Sequence, residues 1–381
     1  MNICPNTNKY IQLGIIALVF IIVISGCTRS ISKGSLTPVK VEGLTSIISV
    51  AAANRVENGN LGNSSVYALK ADGSIWAWGN NGCGQLGNNS NTNSTVPVLV
   101  ENLSGVTSVT GGFEAAYAVT KDSTVRAWGN NQSGQLGDDS TINRAIPVQV
   151  QGLDSVSAVA GGNKVAYALK MDGTVWAWGD NSFGQLGNDY GITNLTPVQI
   201  SGLNNITTIS CALNTGYGLH SSGHVWTWGE RPVHQSWYAS NHSHIPEKIP
   251  GLNDVIAIAA GGASGYALKS DGSVWAWGWN GEAEFGSLEN TETAPVKIQG
   301  LTDITAIAAR SEGGYAFKPN GEVWSWGGVF GGNVGNNSIE GSGFPIAIPE
   351  LKDCKVIAAA DYTALAVKDD GSVWTWGVVV P

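Results

Sequence analysis

Hydrophobic positions fall along this chain in short runs of four to six residues, rich in Val, Ile, Tyr and Trp, separated by polar, glycine-rich connections. Runs of that length and composition predict β-strands rather than helices. The most distinctive, Val175-Trp176-Ala177-Trp178-Gly179, occurs seven times with conservative changes. The copies begin at Ile75, Val125, Val175, Val225, Val274, Val323 and Val373, so their Trp-Gly ends fall 49 or 50 residues apart.

Each copy belongs to a module of four runs, most clearly read from Pro197 to Trp277. A Pro-Val segment leads into Gly202-Leu203, an apolar alternation through Ile206 and Ile209, a Tyr-x-Leu run, a tight turn and the tryptophan strand. Counting Pro38, Pro97, Pro147, Pro197, Pro246, Pro295 and Pro345 as starts gives seven modules. Asp72-Gly73, Asp172-Gly173, Asp271-Gly272, Asn320-Gly321 and Asp370-Gly371 lie between the third and fourth runs, with Asp122-Ser123 and Ser222-Gly223 as weaker versions. Pairs that tolerate positive φ predict two-residue hairpins of the primed type. One four-stranded sheet cannot bury both its faces, whereas seven packed radially can. The pattern therefore predicts an all-β chain, a seven-bladed β-propeller with four short strands per blade and one module of ~50 residues to each blade.

The repeat overrides the prior of about 100–200 residues per domain and predicts one domain over residues 37–381. Composition agrees: 51 Gly and 15 Trp with 13% charged residues describe many turns and an aromatic-rich interior. The net charge of −9 and the lack of any Lys/Arg cluster exclude a nucleic-acid footprint.

Residues 1–27 read differently. Lys9 precedes an apolar core from Leu13 to Ile24, broken by Gly14 and shorter than the roughly 20 residues that span a bilayer. This is the pattern of a cleaved signal. Ile24-Ser25-Gly26-Cys27 at its end resembles the bacterial lipoprotein signal, which implies cleavage of residues 1–26, diacylglycerol on Cys27 and a polar tether over 27–36. An ordinary signal peptide or an uncleaved anchor is the alternative. Cys83, Cys211 and Cys354 occupy three different repeat positions, those of Ser133, Ala309 and Ile304, which argues against a disulfide or metal framework.

A second signature follows the tryptophan strand: Gly84-Gln85-Leu86-Gly87, Gly134-Gln135-Leu136-Gly137 and Gly184-Gln185-Leu186-Gly187. With Trp-x-Trp-Gly, Pro-Val and Gly-Leu, these motifs resemble the regulator-of-chromosome-condensation repeat family, whose fold is a seven-bladed propeller. The chain departs from that family in having no histidine after the small-residue strand, and in the decay of the glycine motif to Glu284-Phe285-Gly286 and Asn333-Val334-Gly335. Kelch repeats share the period but lack Gly-Gln-Leu-Gly. Some framework residues, Ile256 to Gly261 and Ala267 to Gly278, are also similar to secreted β-lactamase-inhibitor propellers.

Chemistry is sparse. Gly82-Cys83-Gly84-Gln85-Leu86-Gly87 fits GxGxxG, but no helix follows to meet a pyrophosphate, so it reads as a turn. No HExxH, Walker loop or Gly-x-Ser-x-Gly is present. Three of the five histidines, His234, His242 and His244, share one irregular segment with Trp237 and Tyr238. They are weak candidates for a metal, since only Glu230 is at hand to complete a ligand set.

The short loops after the small-residue strand differ from module to module while their neighbours repeat. Phe113, Lys164, Arg310 and Tyr362 in those loops, with Trp237 and Tyr238, are the candidate binding residues. The expected function is a lipid-anchored scaffold in the bacterial cell envelope. It would be monomeric, face outside the cytoplasm, carry no cofactor or catalytic site, and bind a protein or glycan. The rival readings are inhibition of a secreted enzyme and a metal-dependent enzyme centred on the histidine segment. Nucleotide exchange on a nuclear GTPase is disfavoured by the compartment that the signal implies.

Overall fold

The structure, a computed structural model, describes residues 35–53, 64–188, 191–230, 242–281, 283–286, 294–328, 334–338, 341–360 and 363–377. Its strands form seven four-stranded antiparallel sheets, the seven blades that the repeat predicts. In blade 1 the order from the axis outward is Ile47–Ala53, Ser65–Lys70, Ile75–Gly79 and Ser94–Leu99. The innermost strands of blades 2 to 7 are Val106–Gly111, Val156–Gly161, Ile206–Ala212, Val255–Ala260, Ala306–Arg310 and Cys354–Ala359. Together they wall a central channel.

Seven modules give seven blades, but the module boundaries read from the sequence are out of phase with the blades. The Pro-Val run that opens a module is the outer strand of the preceding blade, as where Asn194–Gln199 pairs with Val175–Gly179. The first such run, Ser35–Lys40, therefore completes the last blade by pairing with Val373–Gly377. Periodicity has no phase of its own, because any cut of the repeat returns the same count. Closure supplies it: a blade made from both ends of the ring is joined by ladder hydrogen bonds as well as by packing.

The hairpins between second and third strands are antiparallel as expected, but their turns are not two-residue primed turns. In blade 1 the Gly73 N–H donates to the Lys70 carbonyl and the Lys70 N–H to the Ser74 carbonyl, both at 2.9 Å. That leaves a three-residue loop in which Gly73, at φ 83°, is left-handed. Asp72 is there for its side chain: Oδ1 accepts the N–H of Ser74 at 2.9 Å and its hydroxyl at 2.6 Å. Blade 2 puts Ser123 in the left-handed place, at φ 59°.

The core is divided among the gaps between blades, one apolar cluster to each of the seven. In six gaps a tyrosine of one blade meets the second tryptophan of the next edge to face. Tyr67 and Trp128 are the first such pair, and centroid separations run from 5.5 to 6.3 Å. Such pairs add about 0.5–1.5 kcal/mol each beyond area burial. At ring closure Leu365 replaces the tyrosine, and Trp78 packs against Leu365, Val367 and Val373.

The two tryptophans of each strand differ in depth. Trp178 is fully buried, whereas Trp176 is half-buried with the Lys170 ammonium 5.6 Å from its ring centre. The first module is longer than the others over Asn54–Ser65, a stretch whose composition predicts a surface loop, and residues 54–63 of it lie outside the described residues. Ser64 and Ser65 are buried, and the Ser65 hydroxyl donates to the Asn80 carbonyl at 2.7 Å.

Candidate ligand-binding face

In blades 1, 2, 3 and 5 the loop that follows the tryptophan strand is organised by a buried asparagine, Asn81, Asn131, Asn181 and Asn280 in turn. The Asn81 amide nitrogen donates to Asn88 Oδ1 at 3.1 Å and to the carbonyls of Ser90 and Thr92 at 2.8 and 3.0 Å. Its Oδ1 accepts the Leu86 N–H at 2.8 Å. Asn131 repeats the arrangement in blade 2, bonding Asp138, Ser140 and Leu136. This asparagine, one residue past the Trp-Gly-Asn start of the loop, was visible in the sequence as a repeat but carries no recognisable chemistry there.

The loop so fixed presents the Gln85 carbonyl to its neighbours, and beside it, on the same side of the disc, lie the short hairpins that join innermost to second strands. The Asn130 N–H donates to the Glu114 carbonyl at 2.8 Å, which ties the end of a tryptophan strand to the hairpin of Phe113 and Glu114. These hairpins surround the mouth of the channel, a cavity of about 380 Å³ walled by residues such as Val109, Val159, Ile209 and Ile258.

The hairpins are joined to one another around the mouth. The Phe113 N–H donates to the Gly162 carbonyl at 3.0 Å, Asn163 N–H to Leu213 at 2.7 Å and Gly262 N–H to Ser311 at 3.1 Å. Glycine permits this convergence, since a Cβ on Gly161 would stand 2.8 Å from the Gly112 Cα, and one on Gly162 would collide with the Cys211 sulfur. Glu114 and Lys164 hold left-handed conformations at φ 54° and 60°, which L side chains adopt at a cost.

Among the candidate residues, the structure brings Phe113 and Lys164 together on adjacent hairpins, Phe113 half-buried and Lys164 exposed. Arg310 is set apart from them. It is 2% exposed, and its Nη2 donates to the Trp326 carbonyl of its own blade at 2.9 Å. Burial of Arg310 beside Gly313 makes it a support of the hairpin. Cys27, His234, Trp237, Tyr238 and Tyr362 lie outside the described residues.

His242 opens the outer strand of blade 4 opposite Glu230, and nothing of its side chain is described. His244 is half-buried and packs against Gly184. Ala145 and Leu195 stand in the same relation to Gly84 and Gly134, so His244 fills a packing position. Among the described residues no group of three or more His, Cys, Asp or Glu side chains is placed to hold a metal ion.

Sequence reasoning passed over Glu114, which is 7% exposed. Its Oε2 accepts the Asn130 amide at 2.9 Å and lies 3.8 Å from the Cys83 sulfur of the neighbouring blade's loop. Only its place beside Phe113 in a variable loop signalled it. Burial pushes the Cys211 thiol on the channel wall up, and raises that of Cys354 to about 11. Neither is a ready nucleophile.

A model of the regulator of chromosome condensation (RCC1) repeat matches residues 72–118, 122–169 and 172–215, and a second model of that repeat matches 57–85, 106–135, 156–185 and 255–283. No curated protein matches the chain in sequence. Among solved structures, human WBSCR16 is similar at 21% identity, with 90% of this chain and 89% of that chain covered and a TM-score of 0.74. Prp20p from Saccharomyces cerevisiae is similar at 20% identity, with 88% and 83% covered and a TM-score of 0.70. Yeast RCC1 (Prp20) with Kap60 bound gives 20% identity, 88% and 81% covered and a TM-score of 0.69. At these identities the likeness is one of fold.

Proposed function

We propose, for a chain that carries regulator of chromosome condensation repeats, that it is a non-catalytic binding propeller whose partner meets the channel mouth. The observation that carries this reading is the contrast between repeated and unrepeated residues on one face. The buried tryptophan recurs seven times and Asn81 has its counterpart in Asn131, and their contacts hold the blades and loops. Phe113 and Lys164 occur once each, at the tips of hairpins whose backbones are fixed and partly strained. A rigid, preorganised ring bearing an aromatic and a cation suits recognition at small entropic cost.

A protein partner is favoured over a glycan by the structurally similar yeast propeller, which is bound to Kap60 in one structure and has binding properties to Gsp1p and histones. The Ile24-Ser25-Gly26-Cys27 ending adds the second part of the proposal, a lipid on Cys27 and a place in a bacterial cell envelope outside the cytoplasm. The test is capture from an envelope extract by residues 27–381. Phe113→Ala and Lys164→Ala should each retain the wild-type melting temperature while at least one loses capture. Equal capture by wild type and both variants would reject the mouth as the binding face.

A further inference from the structure

The hairpins of blades 2, 3 and 4 form one connected arc of the channel mouth. Each has two loop residues: Phe113 and Glu114, Asn163 and Lys164, Leu213 and Asn214. The Phe113 N–H donates to the Gly162 carbonyl and the Asn163 N–H to that of Leu213, so the three loops lie side by side. Each holds one residue other than glycine in the left-handed region, Glu114, Lys164 and Leu213, whereas Gly262, Ala263, Ser311 and Glu312 in blades 5 and 6 are not left-handed.

Leu213 is the outlier of the arc. Its backbone is at φ 49°, a conformation that a branched side chain adopts at a cost, and its side chain is 44% exposed. Blade 4 thereby moves the left-handed residue from the second loop place, taken by Glu114 and Lys164, to the first. The ring does not require leucine there, because the same place holds Phe113, Asn163, Gly262 and Ser311 in blades 2, 3, 5 and 6. Backbone strain and apolar exposure at one residue of a binding rim point outward, to a partner. Phe113, Asn163 and Leu213 all line the cavity of the mouth.

Charge on the arc is divided. The carboxylates of these hairpins and of the strand ends beside them are engaged within their own blades: Glu114 accepts from Asn130 at 2.9 Å, Asp180 from Gln185 at 3.0 Å and Ser182 at 2.7 Å, and Glu230 from Asn214 at 2.9 Å. Lys164 is exposed and makes no ion pair among the described residues. Farther out, on the loop of blade 2, Asp138 is paired with Arg144 at 2.7 Å and Asp139 is exposed. One unpaired cation set inside an acidic surround admits a single carboxylate and repels an acidic run.

We propose that the partner is a protein segment in which one large apolar residue stands next to one Asp or Glu. The apolar side chain enters the channel mouth against Phe113 and Leu213, and the carboxylate meets Lys164. The proposal rests on the reading that the partner meets the channel mouth.

The experiment is selection of a random peptide library on the immobilised full-length chain, followed by binding of the enriched peptides to variants. Wild type should enrich peptides with Leu, Ile, Phe or Trp beside a single acidic residue, and their affinity should fall about tenfold with Lys164→Glu. Selection on Lys164→Glu should replace that acid with Lys or Arg. Leu213→Gly relieves the left-handed strain, so it should melt no lower than wild type and still lose the peptides. A purely structural Leu213 would instead lower the melting temperature and keep them. Met171→Ala, on the opposite face and 67% exposed in the wild type, should bind as wild type does. Peptides that need Phe113 but keep their affinity in Lys164→Glu and Leu213→Gly overturn this proposal and leave the mouth as the binding face. Peptides indifferent to Phe113, Lys164 and Leu213 alike overturn both. Enrichment of acidic or basic runs, or of no sequence at all, also overturns the proposal.

Discussion

Tyr67 and Trp128 belong to different blades yet donate to one acceptor, the carbonyl oxygen of Gln85, at 2.8 and 2.9 Å. Tyr117 and Trp178 do the same at Gln135, at 2.9 and 2.8 Å, and Tyr266 and Trp326 at Glu284, at 3.0 and 2.8 Å. The loop motif thus acts through its backbone as the clasp between adjacent blades, which is why Glu284 serves as well as a glutamine. Tyr117→Phe removes one of two donors to Gln135 and should cost about 1 kcal/mol in denaturant unfolding. A loss above about 3 kcal/mol would mean that the ring itself had repacked.

The depth of the tryptophans separates their expected costs. Trp178→Ala should destabilise the ring by about 3–5 kcal/mol, the range for a buried large aromatic. Trp176→Ala should cost clearly less, because its ring is already half in water under Lys170. The two tryptophans lie two residues apart and so point to one side of the strand, and the sequence pattern alone does not tell their depths apart. Equal midpoints for the two variants would contradict this ranking.

Ser123 is a non-glycine residue at φ 59° in a hairpin where the six other blades place Gly73, Gly173, Gly223, Gly272, Gly321 and Gly371 at φ 76° to 83°. Ser123→Gly should stabilise the protein by about 0.5–1 kcal/mol, the left-handed strain relieved less the added freedom of the unfolded chain. Calorimetric melting of the pair checks it, and a lower melting temperature for the glycine variant would contradict it.

Stability should be flat near neutrality and fall at both extremes of pH. Hydrogen bonds from the Ser74 hydroxyl and N–H hold the Asp72 carboxyl below its ordinary range, and Asp172, Asp271 and Asp370 are held likewise. A folded pKa below the unfolded one contributes stability present above about pH 4 and lost as pH falls through the folded value. Burial raises the tyrosine hydroxyls, that of Tyr315 to about 12, and their contribution is complete below about pH 10 and lost as pH rises through the folded value. A melting temperature that drifts steadily between about pH 5 and 8 would contradict this assignment.

Deleting residues from Pro345 onward should abolish cooperative folding. The cut removes half of the outer strand Ser342–Ala347 and all three later strands of blade 7, and it leaves Ser35–Lys40 with no partner. A monomeric product with one sharp melting transition would contradict the closed ring.

The blade count and strand content were legible because each blade repeats the same burial problem, and Trp178, Ala177 and Val175 answer it identically each time. The phase of the blades was not, since Pro197 belongs to the blade before its module only once Ser35–Lys40 is seen beside Val373–Gly377. Turn type was misread because Asp-Gly suits both primed turns and the three-residue loop; the Asp72 to Ser74 hydrogen bonds decide between them. Of the candidate site, Phe113 and Lys164 were legible as variable loop residues. The inward fold of Arg310 was not, because a single arginine in a variable loop has no periodicity from which to read its direction.

Photo-crosslinking in intact cells tests the central claim most directly, with a photoreactive residue placed at 113 in one strain and at 171 in another. The account predicts a discrete protein adduct from position 113 at the channel mouth and none from position 171 on the far side. An adduct from 171 with position 113 blank would contradict it.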